Sequence, residues 1–182
     1  MSLRLSGGRK LQSPPGDKAR PTASRVRLAV MNMLAGEIPQ ASWLDLFCGS
    51  GVMSCEALQR GAARVVAVEQ DRAISQVARS NLQLVASSLA TAPRVEVVNQ
   101  EVLQWLRTAA ATRFDLIYAD PPYAAGLYEP LLREISDRGW LQPEGQVLLE
   151  YATKTPPEQP AGWNLVKQKT YGSSSLLLLA LA

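Results

Sequence analysis

The apolar run Phe114-Asp115-Leu116-Ile117-Tyr118-Ala119 ends abruptly in Asp120-Pro121-Pro122-Tyr123, and that stop narrows the possible folds more than any other stretch. A short apolar run bounded by prolines has the length and composition of a fully buried strand. Two successive prolines lack amide donors and cannot continue a central strand. The residue before a proline is held extended, so Asp120 takes a defined pose at the strand's carboxyl end. In open parallel sheets, ligands bind at that end. A carboxylate, a proline carbonyl and an aromatic ring follow one another within four residues here. The trio suits a flat heterocycle carrying an amino group, with acceptors for its N–H bonds and a ring face to stack on. A strand-terminating turn in which Tyr123 only packs is the plainer reading of the same residues.

The rest of the chain alternates strand-like and helix-like patterns. Strands are predicted over Ser42–Phe47, Arg64–Val68, Arg94–Val98 and Gln146–Tyr151. Helices are predicted over Thr22–Ala35, Val52–Gln59, Asp71–Val85 and Leu127–Asp137, with a short one ending at Leu106. In the first helix Val26, Ala29, Val30, Met33 and Leu34 form an apolar stripe, and Thr22 or Ser24 is its candidate cap. Trp163–Lys169 and Ser174–Leu181 read as an antiparallel hairpin across Gly172-Ser173. Such alternation implies a doubly wound, mostly parallel α/β sheet.

The first strand runs into Cys48-Gly49-Ser50-Gly51-Val52-Met53-Ser54. Glycines directly after a strand let the backbone turn tightly and approach a ligand. About 20 residues on, a second apolar strand ends in Glu69, where nucleotide-binding βαβ units place an acid on the ribose hydroxyls. The third glycine of a pyrophosphate loop is replaced by Ser54. That departure favours a ligand with a ribose and adenine but no pyrophosphate, such as S-adenosylmethionine. After the third strand, Glu101 either meets the adenine amino group or caps the following helix.

At 182 residues the chain has room for one substantial core. It contains no histidine, which removes the usual general base and the usual zinc ligand, so no metal is expected. Cys48 and Cys55 are the only cysteines and read as small buried residues beside the glycine turn. No stretch approaches the roughly 18 apolar residues of a membrane span. The start, Met1-Ser2-Leu3-Arg4, lacks a signal-peptide core, so the cytoplasm is the expected compartment. A length of 182 residues with no identifiable exposed apolar stripe makes a monomer the expected state. Residues 1–27 carry seven basic residues against one acid, a balance of +6, whereas residues 28–182 carry twelve against fifteen, or −3. A basic, Gly/Pro-rich arm over residues 1–21 on a mildly acidic body suits a polyanion such as nucleic acid, or is simply a solvated tail. Arg25 and Arg27 sit at a helix N-terminus, against the macrodipole, which also hints at an anionic partner.

With these residues in view, the sequence resembles the bacterial RsmD-like family of 16S rRNA guanine-N2 methyltransferases. The likeness rests on Arg20-Pro21-Thr22 with Arg25-Val26-Arg27, on Leu44-Asp45-Leu46-Phe47-Cys48-Gly49-Ser50-Gly51, on Glu56-Ala57 with Arg60-Gly61-Ala62, and on Asp120-Pro121-Pro122-Tyr123. Where relatives carry a longer N-terminal hairpin, this chain has only Leu5 to Leu11. The resemblance implies a Rossmann-like class I fold with a seven-stranded sheet, a methyltransferase domain over residues 22–182, S-adenosylmethionine as cofactor, and 16S rRNA or the small ribosomal particle as partner. It implies catalytic roles for Asp120, Pro121, Pro122 and Tyr123. The cofactor would fall to Asp45, Phe47, Gly49, Ser50, Gly51, Glu69, Gln70, Glu101 and Asp120, and RNA to Arg9, Lys10, Arg20, Thr22, Arg25 and Arg27. The same strand-end motif also occurs in DNA adenine-N6 methyltransferases, and a non-catalytic cofactor- or RNA-binding protein is the alternative from a different class.

Overall fold

The computed structural model describes residues 3–15, 23–108, 112–122, 126–158 and 160–182, so Arg20, Thr22 and Tyr123 lie outside the described residues. The chain begins with α1 (Ser24–Met33), β1 (Ser42–Leu46), α2 (Val52–Gln59), β2 (Arg64–Val68), α3 (Arg72–Ala86) and β3 (Arg94–Val98). It continues with α4 (Val102–Leu106), β4 (Phe114–Ala119), α5 (Tyr128–Asp137), β5 (Leu141–Ala152), β6 (Trp163–Tyr171) and β7 (Ser174–Leu181). The seven strands form one sheet in the order β3-β2-β1-β4-β5-β7-β6. Strands β1 to β5 run parallel, and β7 is antiparallel to both β5 and β6. This is the doubly wound, mostly parallel sheet with a C-terminal hairpin that the alternation predicts, and it has the seven strands of the Rossmann-like fold that the family resemblance implies.

The central strands are apolar on both faces, and a parallel sheet of such strands needs helices on both sides. Trp43, Ala67 and Tyr118 face one core, with Val30 of α1, Leu58 of α2 and Leu82 of α3. Their neighbours Leu44, Val66 and Ile117 face the other core, with Leu106 of α4 and Leu131 and Ile135 of α5. The chain therefore winds outward from β1 to β3 on one face, then returns to β4 and β5 on the other. The reversal falls between β1 and β4, and a doubly wound sheet opens its ligand crevice there. No helix of the described residues is long and apolar enough to cross a membrane.

Residues 3–11 are not an extended arm. Leu3, Leu5 and Leu11 are buried in the first core. A tight turn closes them, with Leu5 N donating to Arg9 O (2.9 Å), Leu11 N to Leu3 O (2.8 Å) and an antiparallel bridge from Arg4 to Lys10. Ser6 donates through its amide (2.7 Å) and its hydroxyl (2.9 Å) to Oε1 of the buried Glu56. Arg27, expected on the RNA surface, is buried instead. Its guanidinium donates to Arg4 O (2.8 Å) and Ser24 Oγ (3.3 Å), and its Nε lies 3.9 Å from Glu56. Removing one partner of a buried pair costs about 3–5 kcal/mol, which makes Arg27 an anchor for the N-terminal turn rather than a phosphate ligand. Nor does Ser24 cap α1: the N-cap position is Ala23, with no side-chain bond.

Strand β5 starts five residues before the Gln146 expected from the sequence. Phe114 pairs with Leu141 and Leu116 with Gln146, so β5 bulges between them through Pro143 and Gly145. A bulge tolerates the proline, and the apolar pattern breaks there, which hides the strand's start. A Cβ on Gly145 would meet Leu141 Cγ at 2.9 Å and the Asp115 carbonyl oxygen at 3.0 Å. Gly145→Ala is accordingly expected to lower stability by about 1–3 kcal/mol in urea unfolding; an unchanged midpoint would mean the bulge relaxes freely.

Candidate active site

The turn after β1 is wound tightly. Phe47, Gly49 and Gly51 have φ of 64°, 54° and 76°. For a side chain as large as Phe47 this left-handed geometry costs roughly 1–2 kcal/mol. Cys48 N donates to Val68 O (3.0 Å) and Gly51 N to Cys48 O (2.9 Å), which ties the turn to β2 and closes it. The two glycines serve different ends. A Cβ on Gly51 would lie 2.6 Å from Leu82 Cδ1 and 3.3 Å from Ala78 Cβ, so glycine is required there for packing against α3. A Cβ on Gly49 would meet nothing within 4 Å, leaving room for a ligand to approach the backbone.

Two side chains hold this turn, and a third braces the strand that leads into it. Glu69, half-buried beyond β2, accepts from Gly49 N through Oε2 (3.0 Å) and from Asp71 N through Oε1 (2.8 Å). The fully buried Asn81 of α3 donates to Ser50 O (2.9 Å) and Gln12 O (3.0 Å) and accepts from Gln12 N (2.8 Å). Asn81 thereby joins the N-terminal segment to the turn. Sequence reading missed it, and its one signal was a polar residue inside the apolar stripe of α3. Ser54, which stands where the third glycine was expected, donates to Asp45 Oδ2 at 2.6 Å. The other oxygen of Asp45 is buried with no partner among the described residues. Burial pushes the Asp45 carboxyl up to about 7, against the lowering effect of its bonds from Ser54. Burial also raises the Cys48 thiol, with Asp45 and Glu69 adding to the shift, so Cys48 is inert rather than nucleophilic.

The strand tip stands beside the turn. Ala119 of β4 pairs with Leu46 of β1 and with Leu149 of β5. The next residues, Asp120 and Phe47, therefore leave adjacent strands side by side. Asp120 is half-buried, Pro121 buried and Pro122 exposed. Behind them the buried Tyr118 hydroxyl donates to Glu150 Oε2 (2.9 Å). Gln70 is exposed, and its carbonyl accepts from Asn99 Nδ2 at 2.8 Å. Glu101 caps α4, accepting from Leu103 N (3.0 Å) and Gln104 N (2.7 Å), the plainer of its two predicted roles. Asp45, Phe47, Gly49, Ser50, Gly51, Glu69, Gln70, Glu101 and Asp120 thus all lie at the carboxyl ends of β1 to β4. Among the proposed RNA ligands, Lys10 and Arg25 are exposed. Arg9 is tied to the end of α3 through Ser88 Oγ (2.6 Å) and Leu84 O (3.3 Å). No group of three or more His, Cys, Asp or Glu among the described residues is placed to hold a metal ion.

A doubly wound sheet with a glycine turn, an acid after β2 and an Asp-Pro-Pro strand end defines a class I methyltransferase. The sequence matches the family described as Conserved hypothetical protein 95 over residues 5–180. Ribosomal RNA small subunit methyltransferase D of Escherichia coli K12 is 37% identical over 166 residues, covering 91% of this chain and 81% of that one. The protein of the same name from Haemophilus influenzae is 34% identical over 172 residues, covering 94% and 88%. The solved Escherichia coli chain described as methyltransferase yhhF superimposes with a TM-score of 0.86 at 34% identity, covering 100% of this chain and 98% of that one. This chain belongs to the family of ribosomal RNA small subunit methyltransferase D. The cofactor of such enzymes is S-adenosylmethionine, and the residues present fit it. The backbone at Gly49 is open to close approach, and the Glu69 carboxylate and the unpartnered Asp45 oxygen are acceptors at the same strand ends, matching the hydroxyl and ammonium donors that the cofactor carries.

An acid whose folded pKa exceeds its unfolded one withdraws stability as pH rises. Between the ordinary 3.8 and about 7, the unfolded chain releases the Asp45 proton while the folded chain keeps it. Relative to Asp45→Asn, the wild type is expected to lose about 1.4 kcal/mol per pH unit across that window and nothing further above it. Paired urea titrations from pH 4 to 8 check this, and a constant difference between the two proteins would contradict it.

Proposed function

We propose that this protein transfers a methyl group from S-adenosylmethionine to the exocyclic N2 of a guanine in 16S rRNA, acting as a cytoplasmic monomer on the RNA or on the small ribosomal particle. The observation that carries the reading is the register of β1 against β4, which sets Asp120-Pro121 beside the glycine turn. The names of the relatives support ribosomal RNA of the small subunit as substrate.

Bound S-adenosylmethionine supplies a methyl group on a positively charged sulfur. An exocyclic guanine amine is a poor nucleophile because its lone pair is delocalised into the ring. Asp120 Oδ and the Pro121 carbonyl accept its two N–H bonds and turn the lone pair toward the methyl group. Tyr123 supplies the ring that stacks the base. Transfer of the methyl group from the sulfur, which would leave as a neutral thioether, to this nitrogen would make the nitrogen acidic, and its proton would pass to Asp120 or to solvent. Positioning supplies most of the acceleration. At the cofactor, Glu69 would take the ribose hydroxyls and Asp45 the ammonium end, while Glu101, though it caps α4, keeps a second lone pair on each oxygen that would serve the adenine amino group. Phe47, Gly49, Ser50, Gly51 and Gln70 would line the cofactor beside these carboxylates.

Asp120→Ala is expected to lower methyl incorporation into 16S rRNA by about 100-fold or more, while cofactor affinity by calorimetry falls by no more than about 10-fold, the loss of one hydrogen bond. Loss of cofactor affinity in step with activity would make Asp120 structural. Incorporation into DNA but not rRNA would point to an adenine-N6 enzyme, and no incorporation into either to a silent binder.

A further inference from the structure

A groove of about 300 Å³ runs between α1 and β6, lined by Arg25, Leu28, Met33, Lys167, Lys169 and Tyr171 among others. None of its lining residues is acidic. Both walls come from acid-free sequence: there is no Asp or Glu between Lys18 and Gly36, and none after Glu158. Among the described residues, no ion pair engages Arg25, Lys167 or Lys169. Since residues 28–182 are acidic on balance, the uncompensated Lys167 and Lys169 are a local inversion of that charge, and Arg25 of the basic N-terminal segment faces them across the groove.

A β-bulge aims the lysines. Leu165 pairs with Leu179 but Lys167 with Leu178, leaving Val166 as the extra residue. Directly opposed residues of an antiparallel pair share a face. Leu165 therefore lies on the α4–α5 side with Leu179, whereas Lys167, Lys169 and Tyr171 lie on the α1 side with Leu178, Leu176 and Ser174. Without the bulge, the alternation of the strand would send both lysines to the opposite face. Lys167 and Lys169 stand about 7 Å apart along the strand. Tyr171 marks the groove's end nearest the active site, since its partner Ser174 also pairs with Ala152, at the carboxyl end of β5. The groove thus opens toward the end of the sheet that carries Asp120. Exposed Leu28 adds an apolar patch beside the cations.

We propose that this groove seats the phosphate backbone of the RNA substrate, with Arg25, Lys167 and Lys169 as its phosphate-binding cations and the Val166 bulge as the device that turns the lysines toward α1. The proposal rests on an RNA substrate as read above and adds the path by which that RNA leaves the active site. Contacts to phosphate make affinity fall with salt, by about 0.7–0.9 in the log–log slope for each contact.

The test is equilibrium filter binding of end-labelled, deproteinised 16S rRNA to the full chain across a salt series, for wild type and for R25Q/K167Q/K169Q. The triple variant is expected to bind at least tenfold more weakly at low salt and to lose about 2–3 from its slope, with cofactor affinity retained. Each single substitution, as insurance against misfolding of the triple variant, is expected to lower the slope by about 0.7–0.9. Unchanged affinity and slope in the variants would overturn the proposal, as would a wild type that does not bind RNA. Methyl transfer by the wild type to the same RNA is read in parallel. If it fails while binding and slope behave as expected, the activity is at fault and the groove stands.

Discussion

The parallel pairing of β1 with β4 is the constraint on which the rest of the site depends. Leu46 opposes Ala119 at the last rung of that ladder, and both strands then break, one into a left-handed turn and the other into Asp-Pro-Pro. Because the sheet reverses its winding between these two strands, the helices that follow them pack on opposite faces, and a crevice opens between. A slip of the register would separate the carboxylate from the turn. What resists a slip is the burial of both faces: Trp43 and Tyr118 pack on one side, with ring centroids 6.1 Å apart, while Leu44 and Ile117 fill the other.

The turn itself is strained, and polar side chains hold it. The left-handed Phe47 persists because Glu69, Asn81 and the closing bond from Gly51 to Cys48 fix its neighbours. Leaving the buried Ser50 carbonyl without the Asn81 amide would cost about 1–3 kcal/mol. Since Asn81 also binds both backbone groups of Gln12, the N-terminal segment and the glycine turn are ordered together. The folded N-terminal turn, docked through Ser6 and Glu56, extends the same coupling to α2.

Much of the sheet was legible in the sequence, because buried parallel strands are short apolar runs with hard stops and the intervening helices carry regular stripes. The positions of the candidate site residues at the strand ends followed from the same pattern. What escaped notice depends on partners distant in sequence. Arg27 looked like a surface cation until Arg4 and Glu56 enclosed it, and Ser6 to Glu56 spans 50 residues. Asn81 and Gln12 are 69 apart. Ser54 read as a missing glycine, although its hydroxyl serves Asp45. The early start of β5 was hidden because a proline and a glycine interrupt the pattern at the bulge. The Val166 bulge was invisible for a related reason: a run of exposed residues in an edge strand carries no alternation to shift.

Chromatography of the nucleosides from 16S rRNA, digested after reaction with tritiated S-adenosylmethionine, tests the central claim most directly. If the strand tip holds a guanine amine against the methyl donor, the label is expected to co-migrate with N2-methylguanosine. Label in N6-methyladenosine, in a ring- or ribose-methylated nucleoside, or in none at all would contradict it.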